Sequence, residues 1–428
     1  MRLLYSAAWW LLLPLVLARL WWRGRREAGY RRNIAERLGF YGAAIDQRYA
    51  GKMLWVHAVS VGETRAAEPL VDALLAKYRG HAIILTHMTP TGRATGQALF
   101  AHHGERVVQA FLPYDTGFMT ARFLRHFAPR LCVLMETEVW PNLVAQCARR
   151  HVPVALVNAR LSERSLKRAR SMGRLMRDAA AGVTRVAAQT EADAQRLRQF
   201  GVDDVLVTGS IKFDVLPPEQ AQVAGAQLRS QIGLRPVLLC ASTREGEEVL
   251  ILEALRGQGS VMIDNLLLVI VPRHPQRFDE VAMLVQSQGL KIQRRSTLRQ
   301  VDLPADVAVL LGDSMGEMFA YLAACDLAFI GGSLLPLGGQ NLIEACSLGK
   351  PVIIGLHTFN FGTITTDAIA AGAAVRVVDA DAMFSQANTL LRNDDLRQAM
   401  GEQGLKFAEQ QRGATARTMA LLESMLVK

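Results

Sequence analysis

The chain has 428 residues, of which 50% are hydrophobic and 21% are charged. Such a composition supports a large buried core, excludes a disordered tail or a miniprotein, and at roughly 100–200 residues per domain predicts two domains. The formal net charge of +10 indicates an anionic partner, which can be nucleic acid, an acidic lipid surface or a phosphorylated substrate.

The first predicted element is an apolar helix followed by a basic segment. Residues 3–18 carry no charge, and the apolar run reaches about 20 residues, the length of a membrane-crossing helix, only if it extends to Trp22. Four of the six tryptophans lie here, and tryptophan favours the membrane–water boundary. Across residues 1–40, eight arginines against two glutamates give a net charge of +6, so most of the excess charge is local.

This basic flank predicts attachment to a membrane with anionic lipids, with the following chain on the cytoplasmic side. A cleaved signal peptide would carry its basic residues before the apolar run, where only Arg2 stands, and would need a small-residue cleavage site. A buried first helix of a soluble domain would not concentrate tryptophans and arginines in this way. We therefore predict a membrane anchor rather than either alternative.

Short apolar strands and amphipathic helices alternate along the rest of the chain. In the first half, strands are predicted over 53–60, 82–88, 106–113, 131–136, 152–158, 183–190 and 204–210, and helices over 65–78, 91–102, 116–127, 141–149, 160–177 and 191–199. In the second half, strands are predicted over 237–243, 266–273, 291–296, 307–313, 327–333, 351–355 and 373–378. Such alternation implies parallel sheets with helices on both faces.

The predicted fold is therefore α/β, with two doubly wound Rossmann-like domains facing a cleft. The segment IKFDVLPPE contains a Pro-Pro pair and is the best candidate for a linker. The predicted boundaries are an anchor and basic segment over 1–45, a first domain over 46–210, a linker over 211–219 and a second domain over 220–428.

Ligands of such sheets bind at the carboxyl ends of the strands, so the loops that follow strands hold the candidate site residues. The first strand leads into Ser60-Val61-Gly62-Glu63, where the glycine permits a tight turn and Glu63 is a candidate general base. The helix dipole alone also favours a glutamate in a first turn, so a structural role stays open. Glu136 and Glu138 follow another strand, where helix capping is again the alternative.

In the second half, three strand-end loops together predict a nucleotide site. They are Pro272-Arg273-His274-Pro275, residues 312–317 and the glycine-rich residues 331–345. Glycines allow a phosphate to approach the backbone, exposed N–H groups at a helix start bind anions, and Glu344 can accept hydrogen bonds from both hydroxyls of a ribose. Neither a P-loop nor a G-x-G-x-x-G motif is present in the sequence, so neither ATP hydrolysis by a P-loop nor standard dinucleotide binding is supported.

Seven motifs in this order resemble the transferases of 3-deoxy-D-manno-octulosonic acid (Kdo) in lipopolysaccharide biosynthesis. They are WVHAVSVGE (55–63), METEVWPN (135–142), GSIKFD (209–214), PRHP (272–275), GDSMGEM (312–318), GGSLLPLGGQNLIEA (331–345) and GLHTFNF (355–361). The resemblance implies the two-domain GT-B glycosyltransferase fold and an anchor at the cytoplasmic face of the bacterial inner membrane. It also implies transfer of Kdo from CMP-Kdo to the lipid A precursor lipid IVA, with the acceptor on the first domain and the donor on the second.

The same resemblance assigns roles residue by residue. Glu63 matches the family's catalytic base, and Glu136 and Lys212 match positions that support the transition state, with Glu138 as a rival for Glu136. CMP binding is implied for Pro272, Arg273, Met315, Gly316, Glu317, Asn341, Leu342, Ile343 and Glu344. Glu344 is expected on the ribose and the loop N–H groups on the phosphate. Gln340 replaces the histidine of many relatives, which leaves its role open, and His274 is the one histidine retained as a candidate.

No metal and no cofactor besides the donor are expected. CMP carries a single phosphate, so an arginine, a lysine and a helix N-terminus can neutralise its charge as it departs. The loops that hold the candidate site residues contain no D-x-D pair, and the five scattered cysteines form no C-x-x-C pair that would indicate a disulfide framework or a zinc site. Inversion at the anomeric carbon is implied by the family.

Two other functions remain as alternatives. Another GT-B nucleotide-sugar enzyme, a UDP-sugar lipid glycosyltransferase or an epimerase, would share the glycine loop and Glu344 but would need a diphosphate site. A membrane-tethered module that binds nucleic acid would explain the charge, but it predicts aromatics interleaved with basic residues outside the anchor. We therefore expect no nucleic-acid partner.

Overall fold

The computed structural model describes residues 1–25, 27–42, 46–214, 216–258, 263–298 and 301–426. The chain divides into two compact units, which are Met1–Asp214 with Arg412–Lys428, and Val215–Gln411. Each unit is built on one seven-stranded parallel sheet. The fold-class prediction is thereby confirmed.

The sheet of the first unit is doubly wound. Its strands are β1 (Met53–His57), β2 (Ala82–His87), β3 (Val107–Phe111), β4 (Leu131–Met135), β5 (Val154–Ala159), β6 (Arg185–Ala188) and β7 (Val205–Val207). They lie in the order β3-β2-β1-β4-β5-β6-β7. The chain direction across the sheet therefore reverses between β1 and β4, and the loops after these two strands meet at the carboxyl edge.

The helices cover both faces of this sheet. They are α1 (Arg2–Arg23), α2 (Ile34–Arg37), α3 (Val61–Ala66), α4 (Glu68–Lys77), α5 (Pro90–Leu99), α6 (Gly117–Phe127), α7 (Pro141–Arg149), α8 (Glu163–Ser171), α9 (Arg174–Ala181) and α10 (Glu191–Gln199). On one face Trp55 packs with Phe123, and on the other Leu54 packs with Leu70 and Leu74. Strands buried on both faces explain the nearly continuous apolar runs in the sequence.

The second unit repeats the architecture. Its strands are β8 (Val237–Thr243), β9 (Leu267–Pro272), β10 (Ile292–Arg294), β11 (Val309–Leu311), β12 (Leu327–Ile330), β13 (Val352–Ile354) and β14 (Ala374–Arg376). Its helices are α11 (Glu219–Ile232), α12 (Glu247–Gln258), α13 (Phe278–Ser287), α14 (Met318–Ala324), α15 (Ile343–Cys346), α16 (Gly362–Ala370), α17 (Ala380–Arg392) and α18 (Asp394–Gln411). The strand order β10-β11-β9-β8-β12-β13-β14 reverses direction between β8 and β12.

The C-terminal helix α19 (Ala414–Leu426) belongs to the first unit. Met419 and Leu422 are buried in the same apolar cluster as Leu70 and Leu74 of α4. The sequence prediction placed residues 412–428 in the second domain, because nothing local in the sequence shows which sheet a terminal amphipathic helix covers. The structure corrects that boundary.

The linker and one helix also differ from the prediction. Residues 211–214 lie in the first unit, where Ile211 is fully buried within a short 3-10 helix, and the division between the units falls between Asp214 and Val215. Val215, like residues 43–45 of the anchor segment, lies outside the described residues. The single helix predicted over 160–177 is two helices, α8 and α9, because Gly173 at φ +59° breaks the helical backbone.

Helix α1 is long and apolar enough to cross a membrane, by length and composition alone. One face of it contacts the first unit along its length: Ser6 accepts a hydrogen bond of 3.0 Å from Asn142, Trp9 stacks on Tyr114, and Leu20 is buried. The opposite face is exposed and apolar. It carries Leu3, Leu4, Trp10, Leu11, Leu15, Trp21 and Trp22.

Candidate active site

The reversal point of the first sheet brings two predicted carboxylates together. Glu63 lies in α3, directly after β1, and Glu136 directly follows β4. The two carboxylates lie close enough to interact, since the negative charge of Glu136 raises the pKa of Glu63. Both residues therefore follow neighbouring strands at the carboxyl edge of the sheet, where ligands of such sheets bind.

Glu63 is held by the N-terminus of its own helix. Its carboxylate accepts hydrogen bonds from the Val59 N–H at 2.9 Å and from the Ser60 hydroxyl at 3.1 Å, while Ser60 caps α3. Burial raises the pKa of Glu63 to about 7, the Val59 N–H opposes that shift, and the charges of Glu136 and Glu138 add to it. Glu63 therefore makes the capping contacts expected of a glutamate in a first helical turn. Its raised pKa also gives it the property that a general base needs near neutral pH.

Glu136 forms an ion pair with Lys212. The Lys212 ammonium donates to the Glu136 carboxylate at 2.6 Å, although the two residues are 76 positions apart in sequence. Glu136 has φ +57°, a left-handed backbone conformation that is unfavourable for a glutamate. Such strain is found more often at functional sites than elsewhere.

A buried asparagine positions the segment that carries Lys212. Asn158 is the second-to-last residue of β5 and has φ +51°, and its side-chain oxygen accepts hydrogen bonds from the Ser210 hydroxyl and the Ile211 N–H, both at 3.2 Å. Asn158 was not among the residues predicted from the sequence. The sequence feature that could have indicated it is a polar residue at the end of the apolar run VALVN.

Glu138 faces a different partner from Glu136. Its carboxylate accepts a hydrogen bond of 3.0 Å from the Trp140 indole, and burial raises its pKa. Of the two rivals named from the sequence, Glu136 is therefore the one paired with Lys212, while Glu138 acts on Glu63 through its charge.

At the reversal point of the second sheet, a buried glutamate occupies the backbone donors of the glycine loop. The Glu247 carboxylate accepts hydrogen bonds from the N–H groups of Gly332 (2.6 Å), Ser333 (2.9 Å), Leu334 (3.0 Å) and Arg244 (2.9 Å). From the sequence, loop N–H groups were expected to hold a phosphate. Those of residues 332–334 are instead used to fix the loop, and Glu247 was not predicted.

Of the other candidates in the glycine-rich loop, Asn341 and Glu344 can contact a ligand through their side chains, whereas Leu342 and Ile343 can do so only through their backbone. Asn341 donates from its side-chain amide to Glu344 at 3.4 Å and accepts from the Ile343 N–H at 3.1 Å. Leu342 and Ile343 are buried in the core, so only their backbone can contact a ligand. Glu344 lies in the first turn of α15, a four-residue helix that begins at Ile343.

Two further loops carry the remaining donor-site candidates. Pro272 ends β9, and the Arg273 N–H donates to the Thr243 carbonyl at the end of β8. The pKa of His274 is lowered by burial and by the positive charges of Arg244, Arg273 and Arg277. These charges indicate a basic cluster at this edge of the sheet.

The loop before α14, residues 312–317, is held by a hydrogen bond between two of its own side chains. Gly316 has φ +83°, Met315 is exposed, and Glu317 accepts hydrogen bonds from Ser314 and, at 3.2 Å, from Arg295. The loop therefore presents a backbone turn and one exposed apolar side chain.

One group of side chains has the spacing of a metal site among the residues that the structure describes. Ligand atoms of Asp72, His102 and His103 lie within 4.8 Å of one another, and His103 is bonded to Asp72 at 2.7 Å. None of the three was selected from the sequence. Asp72 lies on α4, and His102 and His103 follow α5.

These two sheets, with candidate residues at their reversal points, define a GT-B glycosyltransferase fold. The crystal structure of a glycosyltransferase from Rickettsia africae is 14% identical, with a TM-score of 0.59 over 89% of this chain and 99% of that chain. At that identity the likeness concerns the fold alone.

The sequence comparisons identify the family. Residues 32–215 match the family described as 3-deoxy-D-manno-octulosonic-acid transferase (kdotransferase), and residues 249–407 match glycosyl transferases group 1. A 3-deoxy-D-manno-octulosonic acid transferase of Bordetella pertussis is 47% identical over 99% of both chains, and one of Haemophilus influenzae is 36% identical over 99% of both. The chain belongs to the Kdo transferase family, and it is a glycosyltransferase.

Proposed function

We propose that this enzyme transfers Kdo from CMP-Kdo to the lipid A precursor lipid IVA during lipopolysaccharide biosynthesis, at the cytoplasmic face of the bacterial inner membrane. The observation that carries the proposal is the arrangement of Glu63 beside the Glu136–Lys212 pair, where burial raises the pKa of Glu63 to about 7. A base with a pKa near the working pH suits removal of a proton from a sugar hydroxyl.

The proposed reaction is a single displacement. The acceptor hydroxyl gives its proton to the Glu63 carboxylate as its oxygen attacks the anomeric carbon of Kdo, and CMP leaves with the electrons of the broken C–O bond. Configuration inverts at the anomeric carbon. Lys212, held by Glu136, supplies a fixed positive charge that stabilises the charge developing in the transition state.

The donor is proposed to bind the second unit. The basic cluster of Arg244, Arg273 and Arg277 favours the phosphate of CMP, and Glu344, oriented by Asn341, is a suitable acceptor for the ribose hydroxyls. Pro272, Met315, Gly316, Glu317 and the backbone of 341–343 complete the proposed CMP site. Because residues 332–334 use their N–H groups on Glu247, the phosphate is assigned to the arginines instead.

Attachment to the membrane is proposed to occur through α1. Its exposed apolar face and exposed tryptophans suit the membrane–water boundary, and the arginines that follow suit anionic headgroups. A phosphorylated lipid acceptor lies in the same surface.

The experiment that tests the function is transfer from CMP-Kdo to lipid IVA, followed by mass spectrometry with a chelator present. Wild type is compared with Glu63→Gln and with Glu63→Ala. The glutamine oxygen can still accept from the Val59 N–H and its amide can donate to the Ser60 hydroxyl, whereas alanine can do neither. Both variants are expected to lose about 10²–10⁴-fold in kcat, the contribution typical of a general base. The matched control is Glu191→Gln, which changes a first-turn glutamate of α10.

Three outcomes would contradict parts of the proposal. Retained activity in Glu63→Gln would remove Glu63 as the base, and loss of wild-type activity with the chelator would contradict metal-free transfer. A wild type that is inert with CMP-Kdo but active with a UDP-sugar would replace the donor assignment.

A further inference from the structure

An apolar cavity of about 200 Å³ lies inside the first unit, next to Glu136. Its walls include Leu156 of β5, Val186 of β6, Met176 of α9 and Leu197 of α10. Protein cores are close-packed and contain few voids larger than a water molecule, and an apolar cavity of about 150 Å³ already accepts a benzene-sized molecule. The size and lining of this cavity suit several methylene groups of an alkyl chain.

The rim of the cavity combines the candidate active site with positive charge. Glu136 and Thr137 line one part of it, and Arg160 and Arg168 line another. Residues 160–177 contain seven basic side chains and one acidic side chain. A molecule that fits both features has an alkyl chain, an anionic head and a group that reacts beside Glu136.

The helices over the cavity are suited to admitting such a chain. Helix α8 turns its basic residues outward and Leu166 inward, and the break at Gly173 separates it from α9. Met172, at this break, and Met176 both line the cavity. Methionine side chains adapt to irregular apolar ligands because they are unbranched and flexible.

We propose that this cavity binds one acyl chain of the phosphorylated glycolipid acceptor. The arginines at the rim hold the anionic head group, and the acceptor hydroxyl is presented to Glu63 beside Glu136. This inference rests on the proposed function, because it takes the acceptor to be a lipid. It adds a binding site for the hydrophobic part of that acceptor.

The test uses the full-length enzyme in lipid nanodiscs and two acceptors with the same phosphorylated sugar head, one acylated and one fully deacylated. Ala169→Phe places a ring in the cavity from α8, where Ala169 is partly exposed, so the larger side chain does not require the core to expand. The KM for the acylated acceptor is expected to rise about tenfold or more, because several methylene groups lose their site. The KM for the deacylated acceptor and the affinity for CMP stay at wild-type values.

The matched control is Ala181→Phe, which adds the same ring at an exposed position of α9. It is expected to leave both KM values unchanged. An unchanged KM for the acylated acceptor in Ala169→Phe, or an equal rise for both acceptors, overturns the proposal.

A second measurement identifies the source of the chain. An acceptor with a diazirine in its acyl chain is expected to label peptides from residues 156–202, and unlabelled acceptor is expected to prevent this labelling. If a diazirine phospholipid labels the same peptides and the acceptor does not displace it, the cavity is a site for bilayer lipid and the proposal fails. Absence of transfer by wild type to either acceptor would instead refute the proposed function, while the labelling would still report on the cavity.

Discussion

Glu63 experiences opposing influences on its ionisation. The Val59 N–H and the Ser60 hydroxyl donate to its carboxylate and favour the charged form, whereas burial and the charges of Glu136 and Glu138 favour the neutral form. The neutral form is favoured overall, so the pKa rises from 4.5 to about 7. The carboxylate is consequently a stronger base than an exposed glutamate and is still largely ionised in mildly alkaline solution.

This balance predicts a pH dependence of kcat/KM. Because the base must be deprotonated, kcat/KM is expected to rise with pH through an apparent pKa near 7 and to level off above it. Glu138→Gln removes one neighbouring negative charge and retains an acceptor for the Trp140 indole, so the rise is expected to move to lower pH. The measurement is kcat/KM from pH 5 to 9 for both proteins.

Glu409→Gln serves as the control, because Glu409 is an exposed carboxylate on α18 of the second unit, outside the proposed site. Its profile should overlay that of wild type. A rise at the same pH in wild type and Glu138→Gln would mean that the titrating group is not Glu63.

At the scale of elements, the strand-end loops are fixed by contacts distant in sequence. Glu247 at the start of α12 bonds to N–H groups 85–87 positions later, and these bonds join the loops after β8 and β12. Four N–H donors on one buried carboxylate leave little freedom to the glycine-rich segment. The loop is thus held in shape before any ligand arrives.

We predict that Glu247→Gln weakens CMP binding. A glutamine offers one acceptor oxygen in place of two, so at least one buried N–H loses its partner, at a cost of about 1–3 kcal/mol. Calorimetry should show CMP affinity reduced about tenfold, with the fold retained by circular dichroism. Glu253→Gln, at an exposed position on the same helix, should bind CMP as wild type does.

Equal CMP affinity in Glu247→Gln and wild type would show that the loop does not depend on this carboxylate. The shape of residues 332–334 would then not matter for the arginines and for Glu344, to which the nucleotide is assigned.

The sequence predicted the elements well because each strand is a local apolar run. All fourteen predicted strand segments overlap an observed strand, and Glu63 and Glu136 follow the ends of two such runs. Contacts between distant positions were not predictable: nothing near Glu247 indicates residues 332–334, and nothing near Glu136 indicates Lys212, which was selected by motif resemblance alone. Gly173 as a helix break was missed because the basic residues on either side of it form one continuous run.

At the scale of the whole molecule, the chain returns to its first unit at the end. Asp214 accepts hydrogen bonds from the N–H groups of Gly413, at 2.6 Å, and Thr415, so the two points where the chain changes units are bonded to each other. Arg417 donates to the Thr208 carbonyl at 2.8 Å, close in sequence to Lys212. The C-terminal segment therefore supports the backbone that carries a proposed catalytic residue.

We expect a chain that ends at Gln411 to lose its transfer activity. Removal of Met419, Leu422 and the other buried side chains of α19 forfeits about 1.5–3 kcal/mol each, a large part of the 5–15 kcal/mol that stabilises a typical protein. Hydrogen exchange should show lost protection in α4 and residues 208–214. Peptides of β8 and β9 should exchange as in the full chain.

The point variant Ala416→Ser, at an exposed position of α19, is the control and should retain both protection and activity. Full activity in the shortened chain would show that α19 is dispensable for the first unit.

The contacts of α1 have a consequence for how the enzyme would encounter its substrate. Because Ser6, Trp9 and Leu20 all contact the first unit, the helix cannot stand upright in a bilayer without losing those contacts. Under the proposed attachment the helix axis lies parallel to the lipid surface, and the first unit stays at a fixed height above it. The enzyme and a lipid acceptor would then meet by diffusion in two dimensions, so the rate of encounter would depend on the number of acceptors per unit area of membrane rather than on their bulk concentration.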